Sequence, residues 1–206
     1  MKVDSDDILD PRFAEALVQA LDDHPRAGWA HANVWWIDPD GRRRGLAHTH
    51  KAAGYASARA LAPRYLARPD TCHCVMLRRE AYAAVGGYRP EMKTCEDWLL
   101  WLEMIMAGWG CCYDERALAS MRQHRRRTVM SRRRLDYIDA IELLRRVIDA
   151  AWDDAVRARL DLSKQAARAI LDRSLARSCL SALRDEPAPA VRRALLAEQS
   201  RLDASA

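Results

Sequence analysis

The chain has 206 residues with half of them apolar and a formal net charge of +5, which is enough for one good hydrophobic core, or one domain with an appendage. No run approaches the eighteen or more apolar residues of a membrane span, and the N-terminus lacks the charged-then-apolar pattern of a signal peptide. These features lead us to expect a cytoplasmic protein, with peripheral attachment at the inner membrane face through its basic surface left open. Arg runs at 42–44, 125–127 and 132–134 supply much of the positive charge. They suit anionic partners or a solvated face, and no interleaved aromatics or recognised motif points to nucleic acid. The six cysteines match no disulfide framework, so free thiols are expected. Cys72-His73-Cys74 is not expected to bind zinc, because alternation along a strand separates the imidazole from the two thiols and no CxxC pair completes the set.

Met1 to Asp7 reads as the end of a buried strand that delivers the carboxylates of Asp4, Asp6 and Asp7. A solvated turn capping the next helix is the plainer alternative. A helix is expected over Ile8 to Asp23, with Asp10 as cap, Pro11 at its start and Phe13, Leu17, Ala20 and Leu21 on one face. The aromatic and β-branched run from Gly28 to Ile37 predicts a strand, and Asp38-Pro39-Asp40-Gly41 a tight turn. Residues 42–69, interrupted by Pro63 and Pro69, fit a loop and short helix better than a core element. Thr71 to Leu77 reads as a second strand, and Arg78 to Val85 as a short helix stopped by Gly86-Gly87. The helix beginning near Trp98 and running to Gly108 is apolar on nearly every side and therefore buried. Glu96 and Asp97 stand at its N-terminal turn, where the helix dipole favours them, either as simple capping residues or as acids aimed into a site. Gly110 to Tyr113 is a short strand, Asp114 to Ala117 a turn, and Leu118 to Gln123 an extended piece leading to His124. From Met130 the spacing is helical, through a second stretch over Leu160–Leu183, a break at Pro187 and Pro189 and a last short helix. This tail reads as a hairpin or small bundle that packs or binds a protein partner.

In order, Asp4-Ser5-Asp6-Asp7 before a Pro-started helix, Ile37-Asp38-Pro39-Asp40-Gly41, the segment from Leu77 through Gly86-Gly87-Tyr88, Glu96-Asp97-Trp98-Leu99-Leu100-Trp101 and Arg122-Gln123-His124 resemble the catalytic half of a family 2 glycosyltransferase of the GT-A type. The resemblance covers residues 1 to about 133 and implies two parts: a partial GT-A α/β domain, with a mixed sheet and flanking helices, over 1–133, and a helical extension over 134–206. It further implies transfer of a sugar from a nucleotide-diphospho-sugar to an acceptor hydroxyl, usually with inversion, and a Mg²⁺ or Mn²⁺ cofactor. The acceptor is a glycan, a lipid-linked sugar or a protein. By the resemblance, Asp4 lies near the ribose or sugar and Asp6 holds the cation, with Asp7 replacing it if the motif is shifted by one. Asp97 is the base and Glu96 orients acceptor or donor, while His124 is a further metal ligand. Arg125 and its neighbours suit the phosphates, and the Gly86-Gly87 turn lies at the acceptor pocket. The nucleotide-binding β-α units that precede the Asp-x-Asp motif in the family have no counterpart in these residues, so only the phosphate end of the donor pocket is expected here. The reading from a different class is a truncated GT-A remnant that acts as a non-catalytic interaction protein.

Overall fold

The computed structural model describes residues 1–48, 51–71, 74–92, 94–123, 134–185 and 189–204. Six strands form one mixed sheet: β1 (Ile8–Leu9), β2 (Ala27–Ile37), β3 (Arg43–Leu46), β4 (Gly54–Ala56), β5 (Val75–Leu77) and β6 (Gly110–Arg122). Its centre is the parallel pair β2 and β6; β3 and β5 add antiparallel to β2, and β1 and β4 add antiparallel to β6. The expected α/β architecture with a mixed sheet and flanking helices is present.

Side-chain alternation on β2 sets the two layers. Ala30, Ala32 and Val34 face α1 (Phe13–Asp23), whose Phe13, Leu17 and Leu21 complete a core with Leu118, Ala119 and Met121 of β6. Trp29 points the other way, into a larger core shared with α2 (Ala58–Ala67), α3 (Arg79–Ala84) and α4 (Glu96–Met106). There Trp29 stacks on Trp101 with centroids 4.9 Å apart, a contact contributing about 0.5–1.5 kcal/mol beyond the buried area. Every residue from Trp98 to Met106 is buried, as the apolar pattern requires. Even Glu103 lies inside, bonded by Arg89 at 2.6 Å.

Gly28 is what allows α4 so close to the sheet. A Cβ there would stand 2.6 Å from Met104 Cε and 2.8 Å from Trp109 Cβ. Gly28→Ala is expected to destabilise the fold by about 1–3 kcal/mol through overpacking, readable as a lower urea midpoint.

The tail contributes α5 (Arg134–Ala151), α6 (Asp154–Leu160), α7 (Lys164–Asp185) and α8 (Pro189–Ala204), with Pro189 at a first helical position. Leu144, Ile148, Trp152, Val156, Leu160, Leu171, Leu175 and Leu195 belong to the same buried cluster as Trp29 and Trp101. The Ser174 hydroxyl also bonds the Ala67 carbonyl of α2.

Four expectations change. Residues 42–69 hold the expected short helix, α2, but it is a core element with Pro63 inside it, and the strands β3 and β4 stand where only loop was expected. An interior proline costs about 3 kcal/mol, and burial of Leu61, Ala62, Tyr65 and Leu66 offsets it. The expected helix over Ile8 to Asp23 begins only at Phe13, because Ile8 and Leu9 pair with β6 and the Asp10 carboxylate accepts from the Arg12 backbone N–H at 2.9 Å. Gly110 to Arg122 is one strand, with Asp114 and Ala117 opposite the adjacent Ala32 and Asn33. What looked like a turn is this bulge, held by Arg116 against Asp114 at 3.0 Å. Finally, Asp4 is not on a strand: Lys2 makes a single bridge to Val75, and the chain then turns, with the Asp7 N–H donating to the Asp4 carbonyl at 3.2 Å. Adjacent Asp and Ser side chains favour such turns over a ladder.

Candidate functional site

The acidic turn is fixed from below by Arg122, the last residue of β6. The Arg122 N–H donates to Asp7 Oδ1 at 3.0 Å, and its guanidinium reaches the carbonyls of Asp6 at 3.1 Å, Asp38 at 3.1 Å and Pro39 at 2.8 Å. One side chain therefore ties the Asp4–Asp7 turn to the Asp38–Gly41 turn at the ends of the parallel strands. The other oxygen of Asp7 accepts from the Cys74 thiol at 3.5 Å. Burial raises the Asp7 pKa, assisted by Asp6 and Asp4, while Arg122 and Cys74 oppose the shift. Both carboxylate oxygens of Asp7 are thus engaged, whereas Asp4 is exposed, with one oxygen 3.8 Å from the Lys2 ammonium.

The second acidic group stands at the head of α4. Cys95 precedes it in the left-handed conformation, φ 58°, unusual for a residue other than glycine or asparagine. The Asp97 carboxylate accepts from the Trp98 N–H at 2.7 Å. Burial, with Asp97 and Glu96 nearby, pushes the Cys95 thiol up to about 12, so it is protonated and unreactive at neutral pH.

Tyr88 lies just past the Gly86-Gly87 turn, and its backbone N–H donates to the Tyr82 hydroxyl at 3.2 Å. Its pKa is raised by burial first, then by Asp97, Glu96, Tyr82 and Asp4. His124 and Arg125 lie outside the described residues; His124 is two positions beyond Arg122, the residue bonded to Asp6 and Asp7. Among the described residues no group of three or more His, Cys, Asp or Glu side chains is placed to hold a metal ion. Two carboxylates are nevertheless enough for a Mg²⁺-type ion that takes its other ligands from phosphate and water. Cys72 and His73 also lie outside the described residues; Cys95, Cys111 and Cys112 are free thiols.

A second polar cluster escaped the sequence reading. Fully buried His31 meets the Lys51 ammonium at 2.8 Å through Nε2. Lys51 in turn pairs with Asp70 at 3.2 Å and lies 4.6 Å above the Tyr113 ring. The buried Asn33 amide binds the backbone of His48 on both sides, at 2.7 and 3.1 Å. Only the alternation Trp29, His31, Asn33, which puts two polar residues on the face of a buried tryptophan, hinted at it. Burial, then the Lys51 charge, drives the His31 pKa well below 6.5. The unfolded chain therefore takes up this proton first, and the stability held by neutral His31 is present above pH 6.5 and lost as the pH falls below it. His48 shifts the same way, mainly through burial, whereas Asp70 is lowered and acts at more acid pH. His31→Gln keeps an acceptor for Lys51, and its urea midpoint is expected to vary less between about pH 5 and 7 than that of the unsubstituted protein.

No protein-family model matches the chain, and no curated protein does either. Among solved structures it is similar to the crystal structure of S. aureus TarS, with a TM-score of 0.54 and 16% sequence identity over 85% of this chain and 27% of that one. At that identity the likeness concerns the fold alone, a mixed sheet flanked by helices as in a partial GT-A domain. The chain spans about a quarter of the length of that structure. Among the described residues no helix is long and apolar enough to cross a membrane.

Proposed function

We propose that the chain is the catalytic part of a family 2, GT-A-type glycosyltransferase that moves a sugar from a nucleotide-diphospho-sugar to an acceptor hydroxyl, with inversion. The observation that carries this reading is the acidic Asp4–Asp7 turn, tied by Arg122 to the Asp38–Gly41 turn at the ends of the parallel strands, within a glycosyltransferase-like fold. The fold alone implies no reaction; these residues and their chemistry do.

In this reading Asp97 takes the proton of the attacking hydroxyl, since a sugar hydroxyl is a weak nucleophile at neutral pH, and Glu96 beside it orients acceptor or donor. Asp4 lies along the ribose or sugar. Asp6, whose backbone Arg122 pins, would hold Mg²⁺ or Mn²⁺ together with His124, and Arg125 would face the phosphates. When bound, the cation neutralises charge on the departing diphosphate. The glycan, lipid-linked or protein nature of the acceptor is not specified by these groups.

The test is release of UDP or GDP from UDP- and GDP-hexoses by the chain, with Mn²⁺ and with Mg²⁺. Release that depends on the cation and on Asp97 supports the reading. A folded chain that binds the nucleotide sugars yet never turns them over, with any acceptor class supplied, contradicts it.

A further inference from the structure

The backbone around Asp6 is held by little of its own. Among the described residues, the main-chain bonds of residues 1–7 are the Lys2 bridge to Val75 and the Asp7 N–H bond to the Asp4 carbonyl at 3.2 Å. A turn with so few bonds opens at low cost, and a carboxylate carried on it is then out of place for a cation. The Asp38–Gly41 turn is the opposite case. The buried Asp38 carboxylate accepts from the N–H groups of Asp40 at 3.0 Å and Arg42 at 2.8 Å, and from the Arg44 guanidinium at 2.8 Å. Main-chain bonds from the Asp38 N–H to the Arg42 carbonyl and from the Gly41 N–H to the Asp38 carbonyl, both 2.9 Å, close it further.

Arg122 joins the two. It pairs with Ile37 in the sheet, and the Gln123 N–H bonds the Ile37 carbonyl at 2.8 Å, so its backbone is fixed by β2. Its Nε donates to the Asp6 carbonyl at 3.1 Å, and its Nη1 to the carbonyls of Asp38 at 3.1 Å and Pro39 at 2.8 Å. A planar guanidinium bonded on three carbonyls has one orientation, and the rigidity of the second turn is carried through it to the first. The contact is to the Asp6 carbonyl, so it orders the backbone that carries the carboxylate. We infer that Arg122 is a positioning residue for the cation: by fastening the acidic turn to the Asp38–Gly41 turn it keeps Asp6 in the binding conformation, and cation affinity is set from outside the acidic turn. This rests on the glycosyltransferase reading of the site, in which Asp6 holds the cation.

The test is calorimetric titration of the unsubstituted protein, Arg122→Gln, Arg122→Lys and Gly41→Ala with Mn²⁺ at saturating UDP or GDP, and with the same nucleotide at saturating Mn²⁺. When the competent conformation is only partly populated, apparent affinity falls by that fraction, and a saturating cation restores the conformation. Arg122→Gln is expected to raise the Mn²⁺ half-saturation about tenfold, as for a turn in place about a tenth of the time, and to leave nucleotide affinity at saturating Mn²⁺ within about twofold. Arg122→Lys keeps the charge without the fork and is expected to fall between. Gly41 is exposed with φ 84°. An alanine there strains the far turn without touching the guanidinium, and is expected to raise the Mn²⁺ half-saturation about two- to threefold. An unchanged Mn²⁺ half-saturation in Arg122→Gln, whatever its melting temperature, makes the role merely structural and overturns the assignment. A loss of nucleotide affinity that persists at saturating Mn²⁺ overturns it too, since Arg122 would then be a phosphate ligand. If Arg122→Gln does not fold, Gly41→Ala decides by the same two readings. If the unsubstituted protein shows no cation-dependent nucleotide binding, the reading of the site fails and the Arg122 assignment falls with it.

Discussion

Replacing Arg145 with alanine is expected to lower the unfolding free energy by about 3–5 kcal/mol, the cost of stranding buried partners of a removed charge. The Arg145 side chain is 7% exposed, and it bonds Asp172 of α7 at 3.0 Å and Glu198 of α8 at 2.6 Å. Both carboxylates are buried as well, with 9% and 5% of their side chains exposed. Arg201 at 2.7 Å from Glu198 and Arg168 at 3.9 Å from Asp172 compensate in part, which places the expectation nearer the lower figure. Because the tail helices share a core with Trp29 and Trp101, the loss is expected to appear in tryptophan fluorescence and in helical circular dichroism at the same urea concentration. A small loss, or two separate transitions, would mean that the tail folds apart from the sheet.

Asp97→Asn is expected to lower turnover by about 10²–10⁴-fold while leaving donor affinity nearly unchanged. The amide keeps the shape of the carboxylate and an oxygen able to accept from the Trp98 N–H, which lies 2.7 Å from the Asp97 carboxylate. What disappears is the basic lone pair. The informative measurement is single-turnover product formation with each variant saturated in donor, which separates chemistry from binding. Unchanged turnover would remove Asp97 from the role of base and shift attention to Glu96.

Where neighbouring residues decide the outcome, the structure could be read in advance. The helix through Trp98 and Met106 was legible because it is apolar on all sides, and the Asp38–Gly41 turn because its residue types admit little else; the Gly41 φ is 84°. The Gly86-Gly87 stop was legible for the same reason. In residues 42–69 the short helix was legible but its burial was not, because Pro63 is a local signal for a break, and it is overridden by Leu61, Tyr65 and Leu66 packing in the core. Strand β6 was read as two pieces because Asp114 and Arg116 satisfy each other locally, as in a turn, while pairing with β2 carries the chain through. Within the site, the order of motifs singled out Asp4, Asp6, Glu96 and Asp97. It was silent on Arg122 reaching back to Asp6, Asp38 and Pro39, and on the buried His31–Lys51–Asp70 cluster. Each of these depends on contacts between residues far apart in the chain, and no periodicity records them.

The central claim is that these residues assemble a cation-dependent site for the diphosphate of a nucleotide. Calorimetric titration of the 206-residue chain with UDP and GDP, each with and without Mn²⁺, alongside Asp6→Ala, tests it most directly. The account predicts binding that requires the cation and is lost in Asp6→Ala while the fold, read by circular dichroism, stays intact. Nucleotide binding that is indifferent to Mn²⁺ and to Asp6, or no binding by a folded chain, would contradict it.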